Sequence, residues 1–149
     1  MANQVYTKAK QSLLNGEINT SLFNYKLLFI NTNLYTVNIN TDQYVSVIPT
    51  NAIKTVSENL ANVTNADGIL NADDIIVHHD GSSFDAFVLY QVGSSNSNSR
   101  LVLYVDNSSG LPFNGSSSSI VITIFWSDTI SKILSLWGKN GNTISTWIR

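Results

Sequence analysis

Two adjacent histidines, His78 and His79, are the only imidazole groups in this 149-residue chain and the first candidates for metal binding or catalysis. They belong to the apolar run at residues 75–79, which is typical of a β-strand. Adjacent side chains of a strand point to opposite faces of its sheet, so the two rings cannot easily share one metal ion. We therefore expect the histidines to have a structural or incidental role.

A second group of candidate ligands consists of carboxylates in one short region, namely Asp67, Asp73, Asp74 and Asp80. Carboxylate oxygens suit calcium, so we compared this region with an EF-hand loop. Placing Asp67 and Gly68 at loop positions five and six puts Val63 at position one, where a carboxylate is required, and Asp74 instead of glutamate at position twelve. The sequence favours turns here, and it predicts no metal and no cofactor.

Catalytic patterns are weak throughout the chain. No Gly-x-Ser-x-Gly motif occurs that would place a nucleophilic serine on a strand-to-helix turn. A carboxylate pair for glycoside hydrolysis, such as Glu17 and Glu58, could be chosen in any protein of this size. We therefore expect that the protein is not an enzyme.

Three tryptophans, Trp126, Trp137 and Trp147, offer flat aromatic faces that could stack on sugar rings. The alternative is that they anchor the core or an interface. Trp126 ends a strongly apolar run and is expected in the core, whereas Trp147 has less chain around it to bury it. Both interpretations remain open for Trp137.

The composition excludes several classes of function. Only 12% of residues are charged, the formal net charge is −2, and no lysine and arginine cluster could neutralise several phosphates, so we expect no nucleic-acid partner. No apolar run reaches the length of a membrane span and the first residues do not form a secretion signal, so no membrane partner is expected. The chain contains no cysteine for disulfides or thiol chemistry. A neutral polar surface favours association with other proteins.

The hydrophobic pattern predicts one short N-terminal helix at residues 3–15, with Gly16 where a helix C-cap belongs. Downstream, short apolar runs rich in β-branched and aromatic residues predict strands at residues 25–30, 44–48, 75–79, 84–92, 101–105 and 120–126. The fold class is thus mainly β, an antiparallel β-sandwich or barrel in a single domain covering residues 1–149. Polar segments at 93–99 and 115–119 are expected to be mobile loops.

The segment Ser99-Arg-Leu-Val-Leu-Tyr-Val-Asp106 leads through Gly110-Leu-Pro-Phe113 into the apolar run at 119–126, an arrangement like a β-hairpin. Together with the segments at 6–19, 26–31, 35–44 and 67–74, in this order, it resembles a family of small bacteriophage virion proteins. The resemblance covers most of the first 126 residues. It also favours strands near 53–56 and 60–64, where apolar spacing alone would equally fit a helix.

The resemblance implies a non-enzymatic structural protein of the phage particle, most simply a decoration protein on the capsid exterior that stabilises contacts between major capsid subunits. It implies partners among the virion proteins, many copies in a symmetric assembly, and a location in the virion after synthesis in the host cytoplasm. A tail or neck component and a carbohydrate-binding module for host attachment are the alternatives. Residues 130–149 depart from the family as a C-terminal extension that could add a strand at an interface. The candidate interface residues are Val5, Tyr6, Leu111, Pro112, Phe113, Trp147 and Ile148.

Overall fold

The computed structural model of the chain describes residues 3–65, 70–107, 110–117 and 120–124. In these residues the fold is mainly strand, with one short α-helix and two single 3₁₀ turns at Val45–Val47 and Thr50–Ala52. The elements in chain order are β1 (Gln4–Val5), α1 (Thr7–Leu14), β2 (Tyr25–Ile30), β3 (Ile53–Val56), β4 (Ile75–His79), β5 (Ala86–Gln91), β6 (Arg100–Val105) and β7 (Ile120–Ile124). The prediction of a mainly β, antiparallel fold with one short helix is confirmed.

Five strands form one antiparallel sheet in the order β1, β6, β5, β2, β3. Every residue of β5 is buried, and β2 and β6 are buried except for one half-buried residue each. Since side chains alternate between the faces of a sheet, this continuous burial means that both faces of the central strands are covered. The edge strands β1 and β3 are short and do not pair with each other, so the described residues do not close into a barrel.

An aromatic cluster fills part of the core. Phe29 of β2 lies directly opposite Phe87 of β5, with ring centroids 5.7 Å apart, and meets the Phe84 ring edge-on at 5.3 Å. Edge-to-face and tilted pairs of this kind contribute about 0.5–1.5 kcal/mol beyond the area that they bury. These three phenylalanines are at most 1% exposed, so they fix β2, β5 and the segment just before β5 to one another.

The helix begins later than predicted. Gln4 and Val5 pair with Tyr104 and Leu103 at the edge of the sheet, and α1 starts only at Thr7, whose backbone N–H donates to the Ile39 carbonyl at 2.9 Å. The predicted start at residue 3 is therefore wrong, because pairing with β6 outweighs the helical spacing of the apolar residues.

The helix ends at Leu14, one residue before the predicted bound, with Gly16 directly after the C-cap Asn15. The Gly16 N–H donates to the Leu13 carbonyl at 3.2 Å, and the Glu17 N–H donates to the Ser12 carbonyl at 2.8 Å. These two bonds form a Schellman motif, in which the residue after the C-cap is left-handed. Gly16 takes that conformation with φ of 75°.

Two predicted strands and one predicted pairing are wrong. Residues 44–48 form a 3₁₀ turn, because their amide groups bond locally and to the loop at 93–99 instead of to a neighbouring strand. Residues 60–64 contribute only an isolated bridge, from Thr64 to Asn71. The hairpin of β6 with β7 does not form: β7 pairs in antiparallel register with β4 in a separate two-stranded sheet, with Val77 opposite Ile122.

The loop at 93–99 is held by its own polar side chains. The Ser99 hydroxyl accepts from the Gly93 N–H at 3.0 Å and donates to the Ser95 carbonyl at 2.8 Å, while the Asn98 side-chain oxygen accepts from the Ser95 N–H at 2.9 Å. A Cβ atom at Gly93 would lie 2.5 Å from the Asn98 carbonyl oxygen, so only glycine fits there. These hydrogen bonds define one conformation of a segment for which composition alone predicted mobility.

Candidate interaction surfaces

The N-terminal candidates Val5 and Tyr6 belong to the folded sheet. Val5 is half-buried opposite Leu103. Tyr6 is 0% exposed, and its backbone N–H donates to the Val102 carbonyl at 3.0 Å. The Tyr6 ring therefore serves the core of this chain and has no surface to offer a partner in this conformation.

The hydroxyl of Tyr6 lies in a polar cluster within that core. Burial, followed by the neighbouring Tyr35 and Asp42, raises the pKa of Tyr6 far above its usual range. The Tyr35 hydroxyl donates to the Asp42 carboxylate, which also accepts the Asn38 N–H at 2.8 Å, and burial raises the pKa of Tyr35 as well. Both phenols stay protonated near neutral pH, so neither is a general base.

The predicted loop candidates differ in their exposure. Phe113 forms a backbone bridge with Phe84, with N–O distances of 2.8 and 3.0 Å, and its ring lies 5.1 Å from the Phe84 ring. Leu111 and Phe113 are half-buried against the core, whereas Pro112, which follows a cis peptide bond, is exposed. Pro112 is thus the member of this loop that is available for contact.

The C-terminal candidates Trp147 and Ile148 lie outside the described residues, as do the extension at 130–149 and the three tryptophans Trp126, Trp137 and Trp147. Their roles at an interface or in sugar stacking stay predictions.

The outer face of the sheet formed by β4 and β7 carries two exposed apolar residues that the sequence analysis did not single out. Ile76 is 60% exposed and Val121 is 37% exposed, and Val121 lies opposite the exposed His78 in the ladder. The alternate residues of β4, Val77 and His79, are buried. The sequence alone does not mark this face, because residues 75–77 are all apolar and either face of the strand could be the buried one.

His78 and His79 point to opposite sides of the sheet, as predicted. The His79 ring meets the Phe84 ring edge-on at 5.3 Å, and its Nε2 donates to the Ser82 carbonyl at 2.8 Å. Hydrogen bonds from the Ser82 N–H and hydroxyl lower the pKa of Asp80. The buried histidine therefore stabilises the turn after β4.

No group of three or more histidine, aspartate or glutamate side chains that could hold a metal ion occurs among residues 3–65, 70–107, 110–117 and 120–124. Of the predicted carboxylate cluster, Asp73 accepts a hydrogen bond from Asn62 at 2.6 Å, and Asp67 lies outside the described residues. Glu17 forms an ion pair with Arg100.

In the part of the chain that the structure describes, no helix has the length and apolar character needed to cross a membrane.

Comparison with known proteins gives no relative: no family model, no curated protein and no solved structure matches this chain. The virion role implied by the sequence motifs therefore remains a proposal.

Proposed function

We propose that this protein is a non-enzymatic structural protein of a bacteriophage particle that decorates the capsid exterior and stabilises contacts between major capsid subunits. The observation that carries this proposal is the pair of exposed apolar residues on the outer face of the β4–β7 sheet, where Ile76 is 60% exposed and Val121 is 37% exposed. An exposed isoleucine and valine on neighbouring strands favour burial against another protein. The serial motifs that resemble phage virion proteins favour other virion proteins as partners.

The low charge of the chain supports the same proposal. With 12% charged residues, the surface repels neighbouring copies weakly, which suits close packing in a symmetric array. An ordinary interface of ~800 Å² per partner would be sufficient for each contact. Many copies that each join more than one capsid subunit then gain avidity without tight individual binding.

For the architecture, we propose a sandwich in which the β4–β7 sheet covers part of the five-stranded sheet. Burial of Val77 and His79 on one face of β4, and the contact of His79 with Phe84, support this arrangement. The outer face of β4 would then be the one directed at a partner. In this role the protein is made in the host cytoplasm and is retained in the virion, with no cofactor, no nucleic acid and no membrane as partners.

The experiment that tests the proposal measures binding of the purified full chain to capsids assembled without it. Ile76→Ser should weaken binding about tenfold or more, because about 1.5–3 kcal/mol of transfer free energy is lost when a buried isoleucine is replaced. Val47→Ser is the matched control, since Val47 is 44% exposed in the turn at Val45–Val47 and lies outside the β4–β7 sheet. Equal binding by both variants and the unaltered chain would remove the β4–β7 face as the docking surface.

A cryo-EM map of the particle decides the location. Density for this chain across capsid subunits supports decoration, and a ring in the tail or neck supports the alternative virion role. If the chain is absent from purified particles, the virion proposal is wrong.

A further inference from the structure

Pairs of an asparagine or aspartate with a following glycine occur in several environments in this chain. The structure describes Asn15–Gly16, Asp80–Gly81 and Asn114–Gly115, whereas Asp67–Gly68 and Asn140–Gly141 lie outside the described residues. In such a pair the glycine has no side chain to shield its backbone nitrogen, which can therefore bond to the carbonyl carbon of the preceding side chain. Asparagine is a thermolabile residue for this reason. Which pair reacts depends on how its two groups are held.

The pairs at residues 15 and 80 are held by hydrogen bonds that oppose ring closure. In the first pair, the glycine N–H donates to the Leu13 carbonyl at 3.2 Å, and the Asn15 side-chain amide donates to the Glu17 carboxylate at 3.1 Å. In the second pair, the Asp80 carboxylate accepts from the Ser82 N–H at 2.9 Å. An ionised carboxylate is also a poor electrophile, so neither pair is set up to react.

The pair Asn114–Gly115 lacks these restraints. Both residues are exposed to solvent. No described residue forms a hydrogen bond with the Asn114 side chain or with the Gly115 N–H. The backbone nitrogen and the side-chain carbonyl carbon are thus open to each other and to water.

The chain on either side of this pair is anchored. Phe113 and Phe84 exchange two backbone hydrogen bonds of 2.8 and 3.0 Å, and the Ser116 N–H donates to the Gly81 carbonyl at 2.8 Å. A Cβ atom at Gly115 would lie 3.5 Å from the Gly81 carbonyl oxygen, which is van der Waals contact. Only two residues connect the anchored positions, so a longer main chain between them would strain the bond from Ser116.

We propose that Asn114 is a site of spontaneous deamidation, and that its isoaspartyl product releases Ser116 from the turn after β4. The Gly115 nitrogen loses its proton to hydroxide and bonds to the Asn114 side-chain carbonyl carbon. The bond from that carbon to the amide nitrogen breaks, and this nitrogen takes a proton from water and leaves as ammonia. Water then opens the five-membered imide.

The position of that opening decides the structural effect. Opening at the side-chain carbon gives aspartate, whereas opening at the backbone carbonyl carbon gives isoaspartate, whose main chain runs through Cβ and is one atom longer. Both products add one negative charge to the loop. The site is independent of the virion proposal, since the reaction needs only this chain and water.

The test follows deamidation at each asparagine by peptide mass spectrometry, on the full-length protein kept folded at mildly alkaline pH and on the same protein in concentrated urea. Asn15 is the matched control, because it has the same glycine neighbour. In the folded protein Asn114 should react about tenfold faster than Asn15, because two hydrogen bonds must open before Asn15 can cyclise. In urea the two rates should converge. No faster reaction at Asn114 in the folded protein, or an equal difference in urea, overturns the proposal.

A second measurement tests the release of Ser116. The isoaspartyl form is purified by chromatography and compared by amide hydrogen exchange with Asn114→Asp, which carries the same charge on an ordinary main chain. The Ser116 amide should exchange about tenfold faster in the isoaspartyl form, because its bond to Gly81 is lost. Equal exchange in the two forms would show that the longer main chain does not release the loop, and the proposed effect would be wrong.

Discussion

Gln91 of β5 is bonded to three residues of the stretch from Glu17 to Tyr25, which is distant from it in sequence. Its replacement by leucine should destabilise the protein more than any change of a single hydroxyl in the same network. Its side-chain oxygen accepts from the Tyr25 hydroxyl at 2.8 Å and from the Asn19 N–H at 2.9 Å. Its amide nitrogen donates to the Glu17 carbonyl at 2.9 Å. Gln91 is 4% exposed, so water cannot easily replace it.

The expected magnitude follows from the groups that Gln91→Leu would leave without a partner. The Tyr25 hydroxyl belongs to a residue that is 1% exposed, so leaving it unsatisfied costs about 1–3 kcal/mol. The Asn19 N–H and the Glu17 carbonyl belong to residues nearer the surface, where water can partly replace Gln91. We therefore expect a total loss of about 2–4 kcal/mol in the free energy of unfolding.

Tyr25→Phe is the control, because it removes one hydroxyl and leaves the Gln91 oxygen bonded to the Asn19 N–H. It should cost about 1 kcal/mol. Urea denaturation followed by circular dichroism measures both values. An unchanged slope of the unfolding free energy against urea concentration would show that the unfolded states are comparable. If Gln91→Leu costs no more than Tyr25→Phe, the stretch from Glu17 to Tyr25 is not held to β5 by this side chain and the reasoning fails.

Alkaline pH should unfold the protein, because burial raises the pKa of five of its six tyrosines, Tyr6, Tyr25, Tyr35, Tyr90 and Tyr104. A pKa that is higher in the folded state gives stability that is complete below the usual value near 10 and is lost as pH rises above it. The tyrosinate absorbance of these five residues should therefore appear together with loss of the circular dichroism signal. Ionisation of these five tyrosines near pH 10 in a protein that stays folded would contradict this. Two glycine replacements should differ in unfolding free energy. Gly16→Ala should cost about 1 kcal/mol, because alanine is strained in the left-handed backbone at this position but its Cβ would meet no other atom. Gly93→Ala should cost about 2–3 kcal/mol, because its Cβ would overlap Asn98, and equal costs would rule out the close approach at 93.

Strands that are short apolar runs between turn residues could be predicted from the local sequence. Tyr25–Ile30 and Ile75–His79 occur with the predicted bounds, and Arg100–Val105 begins one residue earlier than predicted. These segments are short apolar runs bounded by turn residues, so nothing in their neighbourhood competes with an extended backbone. The helix end at Gly16 was predictable for a similar reason, since the left-handed position after a helix is determined by the local residue type.

Pairing between distant segments could not be predicted in this way. Gln4 and Val5 have helical spacing, but β6 is available at the edge of the sheet and recruits them as a strand. β7 follows β6 in the chain, yet it pairs with β4. Both edges of β6 are already occupied, one by β1 and the other by β5. A local pattern shows that a strand forms and leaves open which partner it finds.

The exposure of the candidate interface residues also depends on tertiary packing, which a local sequence pattern does not reveal. Tyr6 was predicted at an interface because it lies near the start of the chain, but it packs inside the sheet at 0% exposure. Ile76 was predicted only as part of a strand, and its exposure depends on which face of β4 the core covers. The sequence identifies apolar residues, and tertiary packing decides which of them remain available to a partner.

The abundance of asparagine and serine has a structural use that composition alone does not reveal. In the loop at 93–99, the side chains of Asn98 and Ser99 take the hydrogen bonds that a neighbouring strand would otherwise provide to the backbone. Asn3 does the same at the other end of β6, where its side-chain oxygen accepts from the Asp106 and Asn107 amides at 3.0 and 2.9 Å. Neutral side chains can satisfy the backbone in this way without adding charge to the surface. A chain that fixes its loops with amides and hydroxyl groups can therefore keep a weakly charged surface, which favours the dense packing of copies that the proposed capsid role requires.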